Sequence, residues 1–394
     1  MEVAYGHQSQ GAQDPFVIAS RLMVQRFVRA NRLNFYAVDW FPFHGLLMEQ
    51  PNGIWTVYDT GVSGEMYAFS GAGHSPNWRE IGGSAGLDNM AQTDITIALP
   101  IAKPGQAYMH VSALEAGIIH IPLHLFMADA APTEISVCPS LAFSLRHSTS
   151  NSHLVFDLGL RRDMESHPPA VKAVIEKWYP VSVPQSVDES LKKGGLDPAD
   201  VKTIILSHLH FDHTGDAASF PNATFVLGEG SAELIGNGFP SNPKSQILQS
   251  VVPAERTRFL TAAEFNTSMG PFPRAYDYFG DGSLYLVDAI GHLAGHINVL
   301  ARTSADDSWI YLAGDTAHDV RILTGERGMA FTVDPTGHIH CAHAHKDDAI
   351  EHIRRVGTLL KIPKVHVLLA HEKEWYEKNK GGDAFFPGTI PPKL

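Results

Sequence analysis

The sequence predicts an α/β layered fold, and two observations carry the prediction. Short apolar runs rich in β-branched residues alternate with amphipathic stretches of helical period, as in sheets covered by helices. The composition, 44% hydrophobic and 18% charged over 394 residues, supports a sizeable core in one large domain or two modest ones.

The first hundred residues lack that alternation. Residues 1–14 are polar. Residues 15–38 set Arg21, Arg26, Arg29 and Arg32 among apolar residues at roughly helical spacing, which predicts a surface helix rather than a transit-type segment. Residues 40–105 show no clean periodicity and Gly71–Pro76 is loop chemistry, so no fold is assigned there. From Tyr108 the pattern tightens. Val111–Phe126 reads as a strand, a turn at Gly117 and a second strand. Leu141–Arg146 and Leu154–Asp157 read as a hairpin pair around a polar turn. Pro169–Trp178 and Ser186–Gly194 read as helices, the second opened by a Ser cap with Glu189 three residues on. Val201–Leu206, Thr224–Leu227, Ser283–Val287, Trp309–Ala313 and Val365–Leu369 are apolar enough for buried strands, and Asp347–Leu360 is an amphipathic helix. Residues 230–280, with several Pro and Gly, read as a long insertion forming a helical excursion.

Charge and cysteine content narrow the partners. Lys plus Arg is 30 against 42 for Asp plus Glu, a net charge of −12. That disfavours nucleic acid and anionic membranes, which are gripped through many cationic contacts. The two Cys, Cys138 and Cys341, exclude a disulfide scaffold and fit a reducing compartment, so a cytoplasmic location is expected. No apolar run is long enough to span a bilayer, and the start has no apolar signal core. The 22 His beside so few thiols point to metal ions bound through imidazole and carboxylate.

The most specific motif is Ser207-His208-Leu-His210-Phe-Asp212-His213-Thr-Gly215, directly after the strand Val201–Leu206. A loop leaving a strand end can splay such ligands. His208 and His210 alternate as strand neighbours on one face, while Asp212 and His213 turn toward a second position nearby. Three further motifs follow other strands: Gly291-His292-Leu-Ala-Gly295-His296, Gly314-Asp315-Thr316, and Ala370-His371-Glu372.

In order and strand context these motifs resemble those of the metallo-β-lactamase superfamily, over about residues 108–394. The resemblance implies a four-layer αββα sandwich over 108–394, preceded by an N-terminal extension over 1–107 and interrupted by the insertion at about 230–280. It implies His208, His210 and His292 around one metal, Asp212, His213 and His371 around a second, and Asp315 bridging them. Two zinc ions are expected, with iron or manganese acceptable to the same ligands. Asp212 and Asp315 would then be catalytic as well as ligating, in a reaction where a metal-bound hydroxide attacks a carbonyl. Asp157 matches an early strand-end Asp that can orient a ligating imidazole. Lactone-cleaving members often carry Tyr where this chain has His318, which makes His318 a candidate general acid. His296 is expected to be a hydrogen-bonded packing residue. His338, His340, His343 and His345, with Cys341, fall where the family needs no ligand and are expected to line the pocket mouth or face solvent.

Among the family's branches, the lactonase-like group, which includes enzymes opening N-acyl homoserine lactones, fits best. Asp315 stands where the zinc-Cys lactamases carry Cys, and no glutathione-binding domain is expected after His371. The expected substrate is a small molecule, a lactone or other cyclic or activated ester with an apolar substituent. The insertion's Phe239, Phe265, Phe272, Tyr276, Tyr278 and Phe279 are candidates for its pocket, though most of them are expected to pack the insertion itself. A polyketide or acyl thioesterase, a lactamase on small lactams, and a non-catalytic metal scaffold are the alternatives. Three roles stay open for residues 1–107: completing the pocket, mediating a homodimer, or neither.

Overall fold

The computed structural model describes residues 98–333 and 339–393, together with the backbone of four strands between residues 35 and 69. The chain divides into two compact units, Met1–Asp94 and Ile95–Leu394. In the first, Phe35–Trp40, Phe43–Glu49, Trp55–Asp59 and Met66–Phe69 pair antiparallel in sequence order. The helix expected over 15–38 lies outside the described residues up to position 34, and its last four positions belong to the first strand.

The second unit is built on two six-stranded sheets. One runs, in spatial order, Thr257–Leu260, Thr224–Gly228, Thr203–Ile205, His153–Phe156, Ala142–His147 and Met109–Leu114. Its first four strands are parallel and its last two antiparallel. The other runs Thr267–Met269, Phe272–Asp277, Leu284–Asp288, Ile297–Arg302, Trp309–Leu312 and Val365–Leu368, antiparallel except for the last pair.

The period of two along each strand divides its side chains between layers. Phe156, Ile205 and Val226 from the first sheet meet Leu286, Val299, Ile310 and Leu312 from the second in one core between the sheets. Their neighbours Val155, Ile204 and Phe225 point the other way, onto Val187 and Leu191 of the helix Val187–Lys193. Ser186 and Glu189 close the expected capping box on that helix. On the far side of the second sheet, Leu300, Tyr311 and Val365 pack against Ile353, Val356 and Leu359 of the helix Lys346–Leu359. The layers therefore run helix, sheet, sheet, helix, as expected. Among the described residues no helix is long and apolar enough to cross a membrane.

The strand, turn and strand read over Val111–Phe126 are present, but the two strands join different sheets. Met109–Leu114 joins the first sheet, and Ile118–Pro122 joins a small sheet with Ile135–Pro139 and Val181–Ser182. Gly117 makes the break at φ +101, where a Cβ would also lie 2.8 Å from Leu160 Cδ1. The insertion is not a helical excursion. It contains one short helix, Ser231–Gly236, and then gives Thr257–Leu260 to the edge of one sheet and Thr267–Met269 and Phe272–Asp277 to the edge of the other. Sheet edges supply ladder partners that local Pro and Gly content does not announce.

Leu286 is fully buried between the sheets. Leu286→Ala is expected to destabilise the fold by about 2–5 kcal/mol, as large-to-small core changes do. A chemical denaturation curve shifted by less than about 1 kcal/mol would contradict this packing.

Candidate metal centre

Each motif residue stands just beyond the C-terminal end of a strand. His208, His210, Asp212 and His213 follow Thr203–Ile205; His292 follows Leu284–Asp288; Asp315 follows Trp309–Leu312; His371 follows Val365–Leu368. Layering the sheets brings these four ends together. Two groups result, His208, His210, His292 and Asp315 in one, and Asp212, His213, Asp315 and His371 in the other, with the donor atoms of each within 4.8 Å of one another.

The first group has three imidazole nitrogens facing each other: His208 Nε2 is 2.9 Å from His210 Nδ1 and 3.2 Å from His292 Nε2, and His292 Nε2 is 3.0 Å from His210 Nδ1. A tetrahedral ion with nitrogen ligands at about 2.05 Å sets those nitrogens about 3.3 Å apart, close to this spacing. Burial, reinforced by the neighbouring imidazoles, holds His208 and His292 far below the usual imidazole pKa, so their lone pairs stay free.

The second group draws positive charge. Burial alone would lower His213 and His371, yet Asp315 and Asp212 raise both well above the usual value, with Asp157 adding to the effect on His213. Burial would raise Asp315, but the imidazoles of His213, His371 and His318 hold it far below the carboxylate range. The Asp315 oxygens divide between the groups: Oδ2 lies 3.6 Å from His292 and 3.8 Å from His208, Oδ1 3.1 Å from His213 and 3.3 Å from His371. His213 Nε2 and Asp315 Oδ1 are buried without a hydrogen-bond partner. Orphaned buried donors and acceptors on this scale are costly, and a cation between them satisfies both, so this donor set fits a metal.

The groups behind the ligands fix their orientation. Asp157 accepts from Ser207 N at 2.6 Å, from Ser207 Oγ at 2.7 Å and from His213 Nδ1 at 2.8 Å, leaving His213 Nε2 toward the cluster. It does so at φ +60, a left-handed conformation that Asp tolerates better than most residues. His208 Nδ1 donates to Ser207 Oγ at 3.0 Å and His371 Nδ1 to Pro139 O at 2.9 Å. The orienting role read for Asp157 is therefore present. His296, buried and bonded to Ala289 O at 2.9 Å, is the packing residue expected.

Three supports escaped the sequence reading. Ser207 relays Asp157 to His208. His343, from the later His cluster, sits with Nδ1 3.2 Å from His292 Nδ1. Asn298 Oδ1 accepts from Tyr311 Oη, Thr316 Oγ1 and His352 Nε2 at 2.8–2.9 Å while its amide donates to Ala313 O, which buttresses the Asp315 turn. Asn298 is a lone amide in a strand buried on both faces, Ile297–Arg302, and no local signal marks its partners. His340 is exposed at the cavity wall and His345 is exposed; His338 lies outside the described residues.

A cavity of about 350 Å³ opens over the cluster, with His210, Asp212, His292, Asp315, His318 and His371 on its wall. Ile119, Ile121, Phe126, Val174 and Phe211 supply its apolar face, and Tyr179, Gln246 and Thr332 its polar groups. Of the six insertion aromatics, none lines it. Phe265 and Phe272 are buried in the cores, and Tyr276, Tyr278 and Phe279 pack against the core between the sheets. These rings therefore serve packing, as expected for most of them. Gln246 is the insertion residue that reaches the cavity. His318 Nε2 stands 3.3 Å from Asp315 Oδ2.

Fold and donor set together define an αββα sandwich carrying a candidate metal centre. Residues 135–347 match the Metallo-beta-lactamase superfamily, and the chain belongs to it. Penicillium proteins named as cytochrome P450 monooxygenases are 31–34% identical, and the chain spans only 28–36% of their length. A gamma-lactamase of Gibberella moniliformis is 38% identical over 172 residues, 42% of this chain and 70% of that one. An N-acyl homoserine lactonase of Agrobacterium fabrum is 28% identical over 201 residues, 48% of this chain and 69% of that one. A solved N-acyl homoserine lactone hydrolase shares the fold at TM-score 0.55 and 17% identity, covering 74% of this chain and all of that one.

The buried imidazoles predict acid lability. Burial pushes His296, His343 and His352 down to about 3 and His167 to about 4. The unfolded chain takes up these protons below about pH 6.5, while the folded chain refuses them until pH 3–4. Stability is thus lost as pH falls through that window, at about 1.4 kcal/mol per pH unit for each His. The raised His213 and His371 do not mask this, because their stabilisation is fully present below the unfolded value. Denaturation midpoints of the metal-free chain should drop steeply from pH 6.5 to 5; a flat profile would contradict neutral burial.

Proposed function

We propose that the chain hydrolyses a small neutral cyclic carbonyl compound, foremost a lactone bearing an apolar substituent. The observation that carries this reading is the cavity itself. Its floor is the ligand cluster, its walls are apolar and aromatic, and no Lys or Arg is among its described lining residues. At about 350 Å³ it sits at the small end of ligand pockets. A γ-lactam is the second reading, supported by the gamma-lactamase relative. The two share a five-membered ring with the acyl bond inside it, as does the homoserine lactone in the name of the other relative.

His208, His210 and His292 would hold one ion, and Asp212, His213 and His371 the second, with one Asp315 oxygen toward each. Zinc suits this donor set best, and iron or manganese would accept it. When bound, such ions acidify water near neutral pH and polarise a carbonyl. The chain's own residues do the rest. Asp157, Ser207 and the Pro139 carbonyl hold the imidazole tautomers, the aromatic walls exclude water, and His318, a cavity-wall residue with Nε2 3.3 Å from Asp315 Oδ2, donates to the leaving heteroatom.

Asp315→Ala is expected to lose most bound metal and nearly all turnover, by metal analysis of the purified protein and a panel of γ-lactones, γ-lactams, aryl esters and thioesters. Turnover of thioesters with no cyclic substrate touched would overturn the proposal. His318→Ala should retain its metal and lower kcat about 10- to 100-fold if His318 protonates the leaving group. An unchanged kcat would remove it from the reaction.

A further inference from the structure

Tyr179 is a polar wall group for which the proposed reaction has so far no use. Its backbone is fixed on both sides. Tyr179 N donates to Ile175 O at 3.2 Å at the end of the helix Pro169–Lys177. Pro180 O accepts from His120 N at 2.9 Å, and Val181–Ser182 then pairs with Ile118 and Ile119. The ring stands between two other rings of the cavity wall, with centroids 6.2 Å from Phe126 and 6.5 Å from Phe211. Burial, and after it the charge of Asp212, pushes the phenol up to about 12, with His371 pulling the other way. The hydroxyl therefore keeps its proton. No hydrogen bond to the described residues satisfies it. Tyr179 is half-buried, and the space it borders is the ligand cavity.

We propose that Tyr179 is a catalytic residue whose hydroxyl donates a hydrogen bond to the acyl oxygen of the bound ring. This rests on the hydrolase reading above. The phenol polarises the carbonyl and steadies the charge that develops on its oxygen, and no proton leaves it. It thereby divides the work with His318, which acts on the leaving heteroatom. The fixed backbone matters because a donor contributes most when it need not reorganise as charge develops.

The test is Tyr179→Phe, which keeps the ring and removes only the donor, in the zinc-loaded full chain with γ-lactones carrying alkyl or aryl substituents. The expected result is a fall in kcat of about 10- to 100-fold, with metal content and thermal midpoint unchanged. Equal kcat in variant and parent, at equal metal content, overturns the proposal. If the parent chain leaves every lactone and lactam intact, the hydrolase reading of the substrate fails instead. The unreacted γ-lactone's Kd for the two forms then decides the tyrosine's role: weaker binding to Tyr179→Phe supports the contact, and equal binding overturns it.

Discussion

Lone pairs that face one another inside a protein repel, and this centre is built from that repulsion. His208, His210 and His292 aim three nitrogens at a common point at mutual distances of 2.9–3.2 Å, and two carboxylates stand beside them with almost no access to water. No arrangement of neutral side chains relieves that contact. Positive charge does, and the pocket solicits it twice: as neutral imidazoles kept free of protons in one group, and as imidazoles drawn toward protonation by Asp315 and Asp212 in the other. The fold has to hold such a cluster against its own preference to splay apart, and that demand explains the rigidity around it.

The rigidity comes from where the residues are placed. All seven leave strands that are themselves locked between a packed inter-sheet core and a helical layer. A loop at a strand end inherits a fixed starting point, and its polar backbone groups are satisfied from behind: Ile297 N donates to Ser207 O, Ala370 N to Gly314 O, and Leu158 N to His213 O. These bonds stitch one ligand loop to the next across the two sheets. Gly314 carries the chain into Asp315 at φ +48, where a Cβ would lie 2.9 Å from His296 Nε2. The Asn298 network then fills the space behind that turn. Ligand placement and sheet packing are thus one problem, since a shift of either sheet moves ligands belonging to the other.

The strands and the seven clustered side chains were legible because both carry local, periodic or closely spaced signals. Val201–Leu206 followed by His-x-His-x-Asp-His is such a signal, and so is the Ser186 and Glu189 cap. The sheet edges were not legible. Thr257–Leu260 and Phe272–Asp277 become strands because neighbouring strands offer them unpaired ladder groups, and nothing within 230–280 states that. The cavity wall was not legible for a related reason. Aromatic content identifies rings but not which side of a sheet they fall on, so Phe272 went to the core and Phe211, hidden inside the ligand motif, went to the cavity. His343 and Asn298 were opaque because their roles depend on contacts 51 and 54 residues away, with His292 and His352.

The contrast between floor and walls also bears on how a reaction could run forward here. A neutral ring suits the apolar walls, so binding need not pay for stripping water from a charge. On the proposed reading, charge first appears on the acyl oxygen as the ring is attacked, beside the ligand cluster and in the space that Tyr179 borders. Opening the ring then leaves a carboxylate in a cavity whose described walls hold no Lys or Arg to retain it. Substrate and product therefore differ in the one property the walls discriminate. The apolar enclosure that favours entry of the neutral ring disfavours its ionised product, and without a basic wall group the pull on the product is confined to the floor.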